Sequence, residues 1–243
     1  MNAKTIKILL VKQIFSMPYG GISRLFTEML RLGKEKKSFE QVEISSPIFY
    51  SPNFHLSEYE STKISRFTFF KKMNFKGKSI ISNLLLKVNR AKIKNSLKDY
   101  NHTVFLPTYF YPYFLGYCKK PFVLTVYDMI HEKFAHLFKN DDTKQNKLVL
   151  MEKAERIIAI SESTKADIIS IYPQINPEKI DIVHLSYSIE GKIKNLLLPD
   201  NFILFVGNRG SYKNFKVLLQ AFKLVRPKHR DYSLVCARGD LIK

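Results

Sequence analysis

Arg209 and Lys213 stand four residues apart in the stretch 203–214, "ILFVGNRGSYKN", where an apolar run ends in Gly207 and a second glycine follows at Gly210. A guanidinium can grip phosphate oxygens through two parallel hydrogen bonds and an ammonium adds a point charge, so the pair suits a diphosphate. The glycines give the backbone the freedom such a turn needs. It is not a Walker loop, because the glycine-lysine-serine ending is missing. In a chain this rich in Lys, the same residues also read as a solvated basic turn.

A second set lies in "LTVYDMIHEKF", where Asp128 and His131 follow an apolar run. In open α/β sheets the ligand crevice lies outside the carboxyl ends of the strands, so polar side chains there are placed for chemistry. The plainer reading is that Asp128 caps the following turn and His131 is a solvated loop residue. A third set is "MPYGGISRLFTEML", with Gly20 and Gly21 between a strand and an amphipathic helix. Glycines there let a ligand approach the backbone, and the unpaired N–H groups of a helix start favour an anion. Many strand-helix turns carry glycine for backbone geometry alone.

Three such loops need a scaffold, and the rest of the sequence supplies one. Apolar runs such as "TIKILLV", "TVFL", "FVLTVYD", "RIIAIS", "KIDIVHLS", "FILFVGN" and "YSLVCA" alternate with helical segments. That alternation predicts βαβ units and a parallel sheet covered on both faces, whose buried strands read as near-continuous apolar runs. Ser161 or Ser163 is placed to cap the helix "STKADIISIY", and Pro173 and Pro177 bracket the turn after it. The polar stretch "IEGKIKNLLLPDN" separates this series from a fresh strand-helix-strand run, so the sequence divides into 1–190 and 191–243. The second part has too few residues for an independent α/β domain.

With 243 residues, 45% of them apolar, the chain can fill a packed core. Its 40 basic against 21 acidic residues leave a formal charge of +19, which attracts phosphates of nucleotides, lipids or nucleic acid. The stretch Ser61 to Lys98 holds eleven Lys or Arg and no Asp or Glu, a basic patch that includes Lys71, Lys72, Lys76 and Lys78. Within it Ile80, Leu84, Val88, Ile93 and Leu97 fall near one helical face, which suits either an anionic membrane surface or a core-packed helix with a solvated basic side. Aromatics among the lysines could stack on single-stranded nucleic acid, but no nucleic-acid-binding motif accompanies them. The two cysteines, Cys118 and Cys236, have no paired spacing, which fits a reducing compartment and no cysteine metal site. The N-terminal "MNAKTIKILLV" lacks a cleavage site and reads as a first strand. No apolar run approaches the roughly 20 residues that span a bilayer.

In order and spacing, "YGGISRLFTEML", "FVLTVYDMIHEKF", "AERIIAISESTKADII" and "ILFVGNRGSYKNFKVLLQAF" resemble the retaining glycosyltransferases of family 4, which have the GT-B fold. The resemblance implies two Rossmann-like domains, the first taking the acceptor and the second a nucleotide-sugar donor. It implies that Gly20 and Gly21 sit beside the donor phosphates, that Arg209 and Lys213 neutralise the diphosphate leaving group, and that Asp128 and His131 are the catalytic candidates. No cofactor and no metal is implied, the nucleotide sugar being a substrate. Many relatives carry His immediately before the Asp, whereas this chain has Tyr127 there and the histidine at His131.

The implied partners are a nucleotide sugar and a saccharide or lipid-linked acceptor; the basic stretch adds an anionic membrane surface, and no nucleic acid is expected. The implied setting is bacterial surface polysaccharide synthesis, lipopolysaccharide included, at the cytoplasmic face of the membrane. Relatives continue into a segment with two glutamates separated by seven residues that holds the donor, and nothing after "YSLVCARGDLIK" matches it. The expectation is therefore an acceptor domain plus the first βαβ of a truncated donor domain. A non-catalytic module, a nucleotide-sugar 2-epimerase and a nucleic-acid-binding protein are the competing expectations.

Overall fold

The computed structural model describes residues 6–10, 20–35, 39–44, the helical positions 87, 88, 91, 94, 95 and 97, and residues 104–118, 120–186, 197–207, 209 and 211–237. Lys71, Lys72, Lys76 and Lys78, with Asn208 and Gly210, lie outside the described residues. By its internal contacts the chain divides into two compact units. The first takes the described residues up to Glu132 and those from Asp141 to Leu185; the second takes Lys133–Asn140 and the described residues from Ser186 onward.

In the first unit, strand β1 (Ile6–Leu10) pairs in parallel with β2 (Phe39–Ile44) on one side and β3 (Val104–Leu106) on the other. A second parallel sheet runs β4 (Val123–Val126), β5 (Arg156–Ala159), β6 (Ile180–Ile182), with Leu124 opposite Ile157 and Ile157 opposite Ile180. Leu124 and Val126 of β4 and Ile157 and Ala159 of β5 share one face of this sheet and are buried, while the other face is half-buried at Val123, Thr125 and Ile158. The strand β2 was not among the expected elements. Its Glu40, Gln41 and Glu43 interrupt the apolar run by which buried strands are recognised.

Helix α1 (Gly21–Glu35) buries Ser23, Phe26, Thr27 and Leu30, an i, i+3, i+4, i+7 face, and its polar side carries Arg31 between Glu28 and Glu35, each 2.9 Å away. Helices α2 (Ile130–Lys133), α3 (Thr143–Lys153) and α4 (Glu162–Ile171) follow. Ser161 caps α4, its hydroxyl accepting from the Thr164 amide at 3.1 Å. The core is continuous from Phe26 and Leu30 through Phe105, Phe114 and Phe122 to Ile168 and Tyr172. Leu97 belongs to it, while Lys87 and Lys94 face solvent, so this end of the basic stretch packs its apolar side inward.

The second unit contains β7 (Asn201–Val206), a 3-10 turn at Ser211–Lys213, helix α5 (Phe215–Val225) and β8 (Tyr232–Ala237), with β7 and β8 parallel and in register from Asn201–Tyr232 to Val206–Ala237. Phe215 is buried here, while Leu204, Val206, Val217 and Leu224 are exposed. No described helix is long and apolar enough to cross a membrane.

Candidate functional site

Two of the three candidate sets closely follow parallel strands, and the third opens a helix. Gly20 and Gly21 open α1 after β1 of the first sheet; Asp128 and His131 follow β4 of the second; Arg209 and Lys213 follow β7 of the second unit. Neither Gly20 nor Gly21 has positive φ. Among the described residues, a methyl group added at Gly21 would meet nothing within 4 Å, and one at Gly20 only the Ser23 hydroxyl at 3.8 Å. Neither backbone geometry nor crowding by the described residues thus accounts for these glycines.

Asp128 immediately precedes the short helix α2 and His131 lies within it, and the contacts of both are local. The Ile130 amide donates to Asp128 Oδ1 at 3.0 Å, so that this oxygen closes a turn. His131 Nε2 lies 3.5 Å from Asp141 Oδ2. The Asp141 carboxyl is held below the usual range mainly by the Thr143 hydroxyl, with the Thr143 amide and His131 adding to it. The Thr143 amide donates to Asp141 Oδ1 at 2.7 Å, which ties Asp141 to the start of α3.

Beneath Asp128 and His131 lies a buried ion pair that sequence reasoning missed. Lys147 on α3 is 0% exposed and its Nζ donates to Glu132 Oε2 and to the Asp128 carbonyl oxygen, both at 2.9 Å. The ammonium also stands 5.0 Å from the centre of the Phe110 ring. Burial first, and the Glu132 carboxylate second, push the Tyr172 phenol up to about 12. A usable signal existed: Lys147, Leu150 and Met151 form an i, i+3, i+4 set, so this lysine occupies a core position of its helix.

In the second unit the structure brings Arg209 and Lys213 onto one turn backed by aromatic rings. The Arg209 guanidinium lies 5.9 Å from the centre of the Phe215 ring and Lys213 Nζ lies 5.1 Å from that of Tyr212. Tyr212 in turn stacks on Phe134 at 6.2 Å and meets Phe138 at 6.2 Å, both from the segment Lys133–Asn140. Gly207 has φ 146° and Asn214, which precedes α5, has φ 53°. Asparagine tolerates the left-handed region better than most residues, which accounts for the Lys-Asn ending of the turn.

Gly207→Ala should therefore destabilise the second unit by about 1–2 kcal/mol through backbone strain. The methyl group itself would meet the Lys213 stem and the edge of the Phe205 ring, both at 3.9 Å, which is ordinary van der Waals contact. Amide exchange along β7 and β8 reads this: protection should fall there and stay unchanged in β4 and β5.

These elements define an α/β protein of the GT-B type, with a Rossmann-like N-terminal unit of parallel strands followed by a second β–α–β unit of the same kind. Two solved structures carry the comparison. A lipopolysaccharide outer core galactosyltransferase, WaaB in its apo form, matches 96% of this chain at 16% identity and a TM-score of 0.51. A UDP-N-acetylglucosamine 2-epimerase matches 95% of it at 12% identity and a TM-score of 0.54. The chain spans 68% of the first protein's length and 63% of the second's. At such identities the likeness shows the fold alone. No protein-family model and no curated protein sequence matches the chain.

Proposed function

We propose that this protein is a retaining glycosyltransferase that moves a sugar from a nucleotide-sugar donor to a saccharide or lipid-linked acceptor in surface polysaccharide synthesis. The observation that carries the reading is the turn after β7, where Gly207 bends the backbone and Arg209 and Lys213 rise from one short segment. Charge that develops on a departing nucleoside diphosphate is met by cations already in place, which is electrostatic catalysis and needs no covalent intermediate. Gly20 and Gly21 give the donor phosphates room at the start of α1, and Asp128 and His131 remain the catalytic candidates at the end of β4.

The test incubates the purified protein with UDP- and GDP-sugars and a lipid-linked saccharide acceptor. Transfer releases nucleoside diphosphate and forms a new glycoside with the donor's anomeric configuration. The solved epimerase of the same fold favours a second reading, nucleotide-sugar epimerisation. Its signature is a changed sugar with the acceptor left unglycosylated. Binding of nucleotide with neither product would leave a non-catalytic module. Binding of single-stranded oligonucleotide that weakens steeply with salt would instead support a nucleic-acid partner.

Gly21→Ala separates the ligand role from the structural one. Gly21 is the first residue of α1, its φ is not positive, and an added methyl group meets none of the described residues, so the variant should be about as stable as the parent. Its affinity for nucleotide sugar, measured by calorimetry, should nonetheless fall, because the methyl group occupies the space the phosphates need.

The basic patch is proposed to hold the protein against anionic lipid at the inner face of the cell membrane. Charge reversal at Lys71, Lys72, Lys76 and Lys78 together should remove most liposome binding at low salt, at about 1 kcal/mol per lysine. Unchanged sedimentation with anionic vesicles would sink that part.

A further inference from the structure

The segment 128–132, which runs from the end of β4 into α2, is held at both ends by one lysine that the function described above leaves unused. Lys147 Nζ donates to the Asp128 carbonyl at one end and to the Glu132 carboxylate at the other, each at 2.9 Å, and His131 lies between them. The same helix start holds Asp141 opposite His131. A buried pair of this kind is a poor device for stability, since desolvating two charges costs as much as their attraction returns, and apolar replacements are often neutral or better. What an apolar pair could not do is direct a donor at the Asp128 carbonyl.

We propose that Lys147 is a positioning residue: clamped between Glu132 and the Asp128 carbonyl, it fixes the backbone that presents Asp128 and His131. Its catalytic consequence rests on the glycosyl-transfer reading; its effect on the segment does not. A group displaced by about 1 Å from its working position can cost roughly 10²-fold in rate, so a small slackening of five residues is enough to matter.

The experiment replaces both partners, Lys147→Met with Glu132→Leu, so that no lone charge is buried. The double variant should melt within a few degrees of the parent. Protection of the Ile130 amide, which donates to Asp128 Oδ1, should drop at least about tenfold while β4 and β5 keep theirs. Turnover of the nucleotide sugar should fall roughly 10²-fold with KM for the donor unchanged. Unchanged Ile130 protection, or parental turnover in the folded double variant, overturns the proposal. If the double variant fails to fold, the parent protein decides. A scalar coupling across the hydrogen bond between Lys147 Nζ and the Asp128 carbonyl carbon supports the clamp, and its absence overturns it. If the parent transfers no sugar at all, the glycosyltransferase reading fails, and Ile130 exchange still decides whether Lys147 holds the segment.

Discussion

Replacing Arg209 and Lys213 together by alanine should lower nucleotide-sugar turnover on the order of 10³-fold while leaving the melting temperature of the protein within a few degrees of the parent. The magnitude follows from the role: removing one preplaced donor to a developing negative charge costs about 10²–10³-fold, and a second cation on the same turn adds to it. The small stability effect follows from placement. Lys213 is exposed and Arg209 half-buried, and they lie 5.1 and 5.9 Å from the centres of the Tyr212 and Phe215 rings. Arg209→Lys alone should recover only part of the loss, since an ammonium cannot make the forked contact of a guanidinium with a phosphate. Steady-state release of nucleoside diphosphate measures all three variants. Full turnover in the double alanine variant would remove these residues from the donor site and leave them as surface charge.

Much of the fold was legible because parallel strands announce themselves as unbroken apolar runs: each of "TVFL", "FVLTVYD" and "RIIAIS" contains a strand of the structure, and "FILFVGN" holds all of β7 but its first residue. The strand Phe39–Ile44 was not legible for the complementary reason, since Glu40, Gln41 and Glu43 give it the look of a solvated connection. Helix α3 begins at Thr143, earlier than its apolar run suggests, because Asp141 rather than hydrophobic pattern fixes its start. Of the candidate site, the Arg209–Lys213 turn could be read from residue type and spacing, both of which are local properties. The features that hold the loops could not. Tyr212 is bracketed by Phe134 and Phe138, and Lys147 is matched to Glu132, only once distant segments meet. Sequence gives no direct sign of such pairings, and a buried lysine hides well among 40 basic residues.

The largest stability effect should come from Phe114→Ala, at about 3–5 kcal/mol. Phe114 is fully buried in a 3-10 turn, Pro112–Phe114, that lies between the two sheets of the first unit in the sequence. Its ring meets Phe105 of β3 edge-on at 4.9 Å and Phe122, which precedes β4, edge-on at 5.1 Å. Those two rings are themselves 6.4 Å apart, so the three form one aromatic knot joining the end of the first sheet to the start of the second. Each edge-to-face pair adds about 0.5–1.5 kcal/mol beyond area burial, and alanine forfeits both along with the volume of the ring. Phe114→Leu, which keeps much of the volume but loses the aromatic pairing, should cost markedly less. The chain contains no Trp, so far-UV circular dichroism in urea is the suitable probe, and the midpoint should shift with little change in slope. A loss under about 1 kcal/mol would mean that the surrounding core closes over the gap, contrary to the packing described. The effect should reach function as well. β4 begins one residue after Phe122 and ends two residues before Asp128, so slack at the knot is passed along a short rigid strand to the segment that Lys147 holds.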